Sequence, residues 1–211
     1  MSAVDALALL QGHRIMPVYT PASVEEAVSV GRALLAGGIG AVEVTLRTDA
    51  ALEAIAALAR EVPQLKVGAG TVLDAAQLRQ VQQAGAAFAV SPGSSPELLA
   101  AAVELRIAYL PGVATASEVM AALAAGHRLL KVFPAEAINA LALLSAWQGP
   151  FARARFCPTG GIDAARARDY LRLPNVACLG GSWLTPAEAL RSGDWARVER
   201  LAREAAALAA Q

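Results

Sequence analysis

Lysine is nearly missing from this sequence. Of the 18 Lys and Arg residues among 211, 16 are Arg and two, Lys66 and Lys131, are Lys. Neither sign of charge is in excess, because 18 Asp and Glu balance the basic residues. A neutral chain without a basic run offers no electrostatic footprint for nucleic acid. Histidine is limited to His13 and His127, and cysteine to Cys157 and Cys178. They form no CxxC pair and no metal-ligand spacing, so no metal or cofactor is expected and the thiols read as buried core residues. Long apolar runs are absent as well. Residues 137–152 carry one charge-free stretch of this kind, yet Asn139, Ser145, Gln148, Gly149 and Pro150 interrupt it, so it does not read as a membrane span. The first residues include Asp5 and no basic segment ahead of an apolar run, unlike a secretory signal, which leads to the expectation of a cytoplasmic protein.

What the sequence does have is apolar surface to bury. With 56% hydrophobic and 17% charged residues, it is too apolar for disorder, and its length suits one domain spanning residues 1–211. Eight short β-prone runs recur at Ile15–Tyr19, Ala41–Thr45, Lys66–Val72, Ala87–Ser91, Ile107–Pro111, Leu129–Phe133, Arg155–Thr159 and Val176–Leu179. Between them lie segments with helical spacing, among them Val24–Ala36, Ala50–Glu61 and Ala137–Trp147. Capping residues Ser23, Thr48, Asp74, Ser95 and Asp163 mark helix starts, and Gly37, Gly85 and Gly126 mark ends. Strand–helix alternation with crossover connections implies a parallel sheet. Eight units predict an α/β fold of the (β/α)8 (TIM) barrel type, preceded by a short helix around Val4–Leu10. An open doubly wound sheet is the weaker choice, because Thr20-Pro21-Ala22-Ser23 stands where a GxGxxG turn would follow the first strand.

In a barrel of this kind the chemistry sits at the C-terminal ends of the strands. Those ends are polar here. Side-chain alternation places Ala41, Glu43 and Thr45 on one face of the second run, and Leu129, Lys131 and Phe133 on one face of the sixth. A lysine under the outer helices would be very costly, so the inner face is assigned to Lys131. An amine in a dry apolar setting has its charged form disfavoured, which frees its lone pair to attack a carbonyl. Glu43 is placed to move protons beside it, although the same two residues could also form a purely structural ion pair. Arg47, just past the second run, can grip a carboxylate through two parallel hydrogen bonds with Thr71 adding a third contact, or it can form a rim salt bridge. The endings Thr159-Gly160-Gly161 and Gly180-Gly181-Ser182 fall in the last two runs, where many barrels bind phosphate through backbone N–H groups and a helix N-terminus.

The strings Val42-Glu43-Val44-Thr45-Leu46-Arg47-Thr48, Val67-Gly68-Ala69-Gly70-Thr71-Val72, Ser91-Pro92-Gly93, Phe133-Pro134-Ala135-Glu136, Arg155-Phe156-Cys157-Pro158-Thr159-Gly160-Gly161-Ile162 and Gly180-Gly181-Ser182-Trp183-Leu184 resemble those of the 2-keto-3-deoxy-6-phosphogluconate (KDPG) aldolase family, in order over essentially the whole chain. The resemblance implies a homotrimeric class I aldolase of the Entner–Doudoroff pathway that cleaves a keto acid phosphate to pyruvate and glyceraldehyde 3-phosphate. Such enzymes often also cleave 4-hydroxy-2-oxoglutarate to pyruvate and glyoxylate. By the same resemblance Lys131 is the Schiff-base lysine and Glu43 the general acid/base, while Arg47 and Thr71 hold the pyruvate carboxylate. Phe133, Thr159 and Pro92 shape the pocket, with Thr159 steering stereochemistry, and Gly161, Gly181 and Ser182 hold phosphate with Gly160 and Gly180 in support. Ile138-Asn139-Ala140 departs from the Asn-Gly-Gly pattern of the family, and Tyr19-Thr20-Pro21 and Ser94-Ser95-Pro96 are also individual.

Three other readings are weaker. A sugar-phosphate epimerase or isomerase would use paired acids, or His and acids on a metal, and the two histidines do not fall at strand ends. A metal-dependent pyruvate aldolase needs a carboxylate and imidazole cluster that is not evident. A non-catalytic phosphate-ester-binding barrel would have no need for a buried lysine facing a glutamate.

Overall fold

The computed structural model describes residues 3–209. Apolar residues dominate the strands on both faces, as expected of a parallel sheet covered by helices. The elements alternate strand and helix, beginning with α1 (Ala6–Leu9), β1 (Ile15–Tyr19), α2 (Val24–Ala36), β2 (Ala41–Thr45), α3 (Ala51–Glu61), β3 (Lys66–Gly70) and α4 (Ala75–Gln83). They continue with β4 (Phe88–Val90), α5 (Pro96–Glu104), β5 (Ala108–Leu110), β6 (Gly112–Val113), α6 (Ala116–Ala124) and β7 (Leu129–Val132). The chain ends through α7 (Ala140–Trp147), β8 (Arg155–Pro158), α8 (Ala164–Leu171), β9 (Leu179–Gly181), α9 (Ala187–Ser192) and α10 (Trp195–Ala209). All pairings are parallel, in a six-stranded sheet ordered β5-β4-β3-β2-β1-β9 and a three-stranded sheet ordered β6-β7-β8. The result is an α/β fold around a curled parallel sheet.

Alternation sorts the strand side chains into two cores. Met16, Ala41, Phe88, Leu110, Leu129 and Cys157 form an inner cluster, with Ala6 and Leu10 of the first helical segment packed against it. Val42, Val44, Leu130 and Val132 point the other way, into the layer shared with the helices. The inner space is tight. Gly68 lies beside Phe88 in the β3–β4 register, and a Cβ at that position would overlap the Phe88 ring. The two thiols, Cys157 and Cys178, are buried and unpaired.

Four local expectations are corrected. Thr48 does not cap α3: its hydroxyl donates to the Pro21 carbonyl at 2.7 Å, and Ala50 stands at the cap without a side-chain bond. The seventh helix starts at Ala140 and not at Ala137, because Asn139 takes a left-handed conformation that a right-handed helix cannot include. The last strand covers Leu179–Gly181, later than Val176–Leu179, since Ile15, Met16 and Pro17 of β1 pair with those three residues. Gly180 and Gly181 therefore lie within the strand, and they are small because a Cβ would strike the Thr159 hydroxyl and the Trp183 ring. The fifth run is interrupted at Pro111, which has no N–H to donate, and its carbonyl accepts from Lys131 N at 2.9 Å. Helix α9, which has no counterpart among the expected helices, is ended by Gly193 at φ 67°.

His127 is buried at the start of β7, with Nε2 3.3 Å from the Leu99 carbonyl and its ring edge-on to Tyr109 at 5.3 Å. Burial pushes its imidazole below the ordinary histidine value of 6.5, the carbonyl bond opposing this. Burial, and secondarily Lys66, lower His13 as well. A base held neutral in the folded state lets the unfolded chain take up the proton first, so this stability is present above pH 6.5 and lost as pH falls below it. The expected outcome is a falling melting temperature between pH 7 and pH 5, with a shallower fall in His127→Gln, which keeps a donor for Leu99. Equal slopes in thermal melts of the two proteins would show that His127 does not carry the effect.

Candidate active site

Inward alternation on β2 and β7 brings the scarce lysine and a glutamate together. Lys131 Nζ lies 2.9 Å from Glu43 Oε1, with the two side chains 6% and 1% exposed. The other carboxylate oxygen of Glu43, Oε2, is buried with no hydrogen-bond partner among the described residues. Its position requires Gly70: a Cβ at residue 70 would overlap the Glu43 carboxylate. Phe133, one inward position beyond Lys131, sets its ring 5.4 Å from Nζ, which shields the amine from water on that side. A buried ion pair of this kind loses solvation on both partners, and the attraction between them offsets that loss only at close range.

Around the pair, the strand ends supply polar groups in unusual backbone conformations. Arg47 is exposed beyond β2, and its Nε donates to Thr71 Oγ1 at 3.3 Å. Thr71 sits at φ 60°, a left-handed conformation that costs a β-branched residue about 1–3 kcal/mol. Leu46 N bonds the Gly70 carbonyl and Val72 N the Val90 carbonyl, so the backbone on both sides of Thr71 is fixed. Pro92 is half-buried beside Ser91, which is tied to Gly112 N at 3.3 Å and to the Tyr109 hydroxyl.

Thr159 is buried at the end of β8, its hydroxyl donating to the Cys157 carbonyl at 3.3 Å and facing Gly180. Gly160 and Gly161 follow at φ 107° and 79°, conformations open to glycine at little cost. A Cβ at Gly161 would also press on Glu136, which accepts bonds from Tyr170 OH at 2.6 Å and Arg166 Nε at 3.2 Å. Ser182 is exposed directly after β9. The helix that follows the Gly160–Gly161 turn, α8, is capped by Asp163, whose carboxylate accepts from Arg166 N at 2.9 Å. Asp163 thus takes one of the first-turn N–H groups of α8, that of Arg166. Among the described residues, no three His, Cys, Asp or Glu side chains cluster as a metal site. Among the same residues, no helix is long and apolar enough to cross a membrane.

Sequence reasoning missed a hydroxyl pair in this region. Thr45, one inward position above Glu43, is hydrogen-bonded to Thr20 at 2.7 Å. The signal available was inward alternation at Thr45 together with a threonine after the neighbouring strand.

The KDPG and KHG aldolase family model matches residues 7–201. A KHG/KDPG aldolase of Escherichia coli K12 is 50% identical over 95% of this chain and 94% of its own. A KDPG aldolase of Legionella pneumophila, solved with pyruvate captured as a covalent carbinolamine, superposes with a TM-score of 0.92 at 42% identity, covering 95% of this chain and 97% of that one. The corresponding enzyme of Zymomonas mobilis gives a TM-score of 0.91 at 45% identity, with 97% of each chain covered. By the extent of the family match and the identity of its relatives, this chain belongs to the KDPG and KHG aldolase family.

Proposed function

We propose that the protein is a class I aldolase that cleaves 2-keto-3-deoxy-6-phosphogluconate to pyruvate and glyceraldehyde 3-phosphate, and 4-hydroxy-2-oxoglutarate to pyruvate and glyoxylate. The observation that carries this reading is the buried Lys131–Glu43 contact at 2.9 Å, with Glu43 Oε2 left over for a substrate hydroxyl or a water. Glu43 takes a proton from Lys131, and the amine adds to the C2 carbonyl to give a carbinolamine. Returned to the C2 hydroxyl, that proton lets water leave and an iminium form. Glu43 then removes the C4 hydroxyl proton while the C3–C4 bond electrons pass to the iminium nitrogen, releasing the aldehyde and leaving an enamine. Protonation at C3 and addition of water return pyruvate and free Lys131. A lysine and a carboxylate suffice for these steps without a metal.

Arg47 and Thr71 are assigned to the pyruvate carboxylate, Phe133, Pro92 and Thr159 to the pocket wall and aldehyde face, and Gly160, Gly161, Gly180, Gly181 and Ser182 to the phosphate. Gly180 and Gly181 act here by leaving room, as strand residues. The two sheets are read as one closed (β/α)8 barrel and the chain as a single domain. Support comes from the continuity of β5 and β6 across Pro111 and from the parallel bridges Phe156–Val176 and Thr159–Gly180 between the outer edges. A homotrimer rests on the family resemblance, and exposed Leu73 and Met120 are compatible with it. A phosphorylated substrate and two unpaired thiols suit a cytoplasmic location.

Incubation with pyruvate and borohydride should leave a stable pyruvyl adduct on the peptide containing Lys131, and Lys131→Met should lose both the adduct and turnover. An adduct elsewhere, or none, sinks the imine mechanism. Glu43→Gln should still bind pyruvate while losing about 10²–10⁴ in rate; unchanged turnover would assign the base to another group. Stability should separate from activity. Each single variant leaves a buried unpaired charge and should cost about 3–5 kcal/mol in urea unfolding, whereas the inactive Lys131→Met/Glu43→Gln double variant should recover most of it. Additive losses in the double variant would show that the pair is not coupled.

A further inference from the structure

The Thr20–Thr45 pair occupies a position that the assignments above leave without a role. In the strand order, β1 lies between β2, which carries Glu43, and β9, which runs into Ser182. The β1–β2 register sets Val18 beside Glu43 and Tyr19 beside Val44, which brings Thr20 level with Thr45. Thr45 is fully buried and Thr20 exposed, with their hydroxyls 2.7 Å apart. One hydroxyl donates to the other, so the exposed Thr20 oxygen keeps capacity for a further hydrogen bond over the mouth of the site. Its backbone is held on both sides. Tyr19 OH donates to Glu26 Oε1, the same oxygen accepts from Ala22 N at 3.0 Å, and Thr48 Oγ1 donates to the Pro21 carbonyl at 2.7 Å. A hydroxyl fixed in this way is presented to a ligand at little cost in side-chain freedom.

A six-carbon keto acid joined through C2 to Lys131, with its phosphate toward Ser182, carries C4 and C5 past the end of β1. The C4 hydroxyl is engaged in bond cleavage. We propose that Thr20, oriented by Thr45, is a specificity-determining residue that hydrogen-bonds the C5 hydroxyl of the phosphorylated substrate, which is the C2 hydroxyl of the aldehyde product. This proposal rests on the aldolase reading above.

The test runs the reaction in the direction of addition, with pyruvate and either D-glyceraldehyde 3-phosphate or its 2-deoxy analogue, 3-phosphooxypropanal, as acceptor. Thr20→Val should lower kcat/KM for glyceraldehyde 3-phosphate about 3- to 10-fold, as expected for one hydrogen bond. With the deoxy acceptor the loss should be less than about twofold, and Thr20→Ser should restore the preference for the hydroxylated one. An equal loss on both acceptors, or no loss on either, overturns the proposal. Wild-type protein inert toward both acceptors overturns the aldolase reading itself, and this proposal with it.

Discussion

The arrangement of the site depends on bringing one ammonium and one carboxylate together inside an apolar sheet. Neither Lys131 nor Glu43 has water to replace the other, and their 2.9 Å contact offsets the solvation both have lost. That contact sets demands on neighbouring strands. Gly70 must lack a side chain so that the Glu43 carboxylate can lie across β3, just as Gly68 must leave room for Phe88 one layer below. Two glycines two residues apart in one strand would weaken it in isolation. Here β3 is supported on both sides by full parallel pairing to β2 and by β4.

The mouth of the site is built differently, from backbone geometry more than from packing. Thr71 at φ 60° and Gly160 and Gly161 at φ 107° and 79° turn the chain sharply just where the strands end. The glycines adopt these angles easily; Thr71 does not, and the bonds at Leu46 and Val72 hold it there. The consequence is a hydroxyl held against Arg47 at one side of the mouth and a tight glycine turn at the other.

The inner and outer faces of β2 and β7 are legible in the sequence because a parallel strand obeys a period of two whatever surrounds it. Alternation, with the cost of burying an amine under the outer helices, therefore assigns Lys131 and Glu43 to the inner face. What it does not convey is which backbone groups find partners far away in the chain. Gly180 and Gly181 look like a turn by composition and are strand because β1 pairs with them, and Thr48 looks like a helix cap yet gives its hydroxyl to Pro21. The late start of α7 follows from Asn139, whose left-handed backbone a right-handed helix cannot include. Thr20 reads in the sequence only as individual to this chain, and the register of β1 against β2 is what gives it a neighbour.

The scarcity of lysine acquires a physical sense from these positions. Arginine keeps its proton in any environment the chain provides, so Arg47 at the exposed rim is a fixed charge suited to gripping an anion. An amine is useful only where it can give its proton away, and that requires a dry surrounding with an acceptor in contact. Lys66 is half-buried at the start of β3, paired in register with Ala41, two residues below Glu43 on β2. Lys131 is buried against Glu43, with Phe133 closing one side. A second lysine at the level of Glu43 would have no carboxylate of its own and would compete for that one, weakening the 2.9 Å contact. Having a single amine at the level of Glu43 is thus part of the proposed site's design, as much as the residues that surround it.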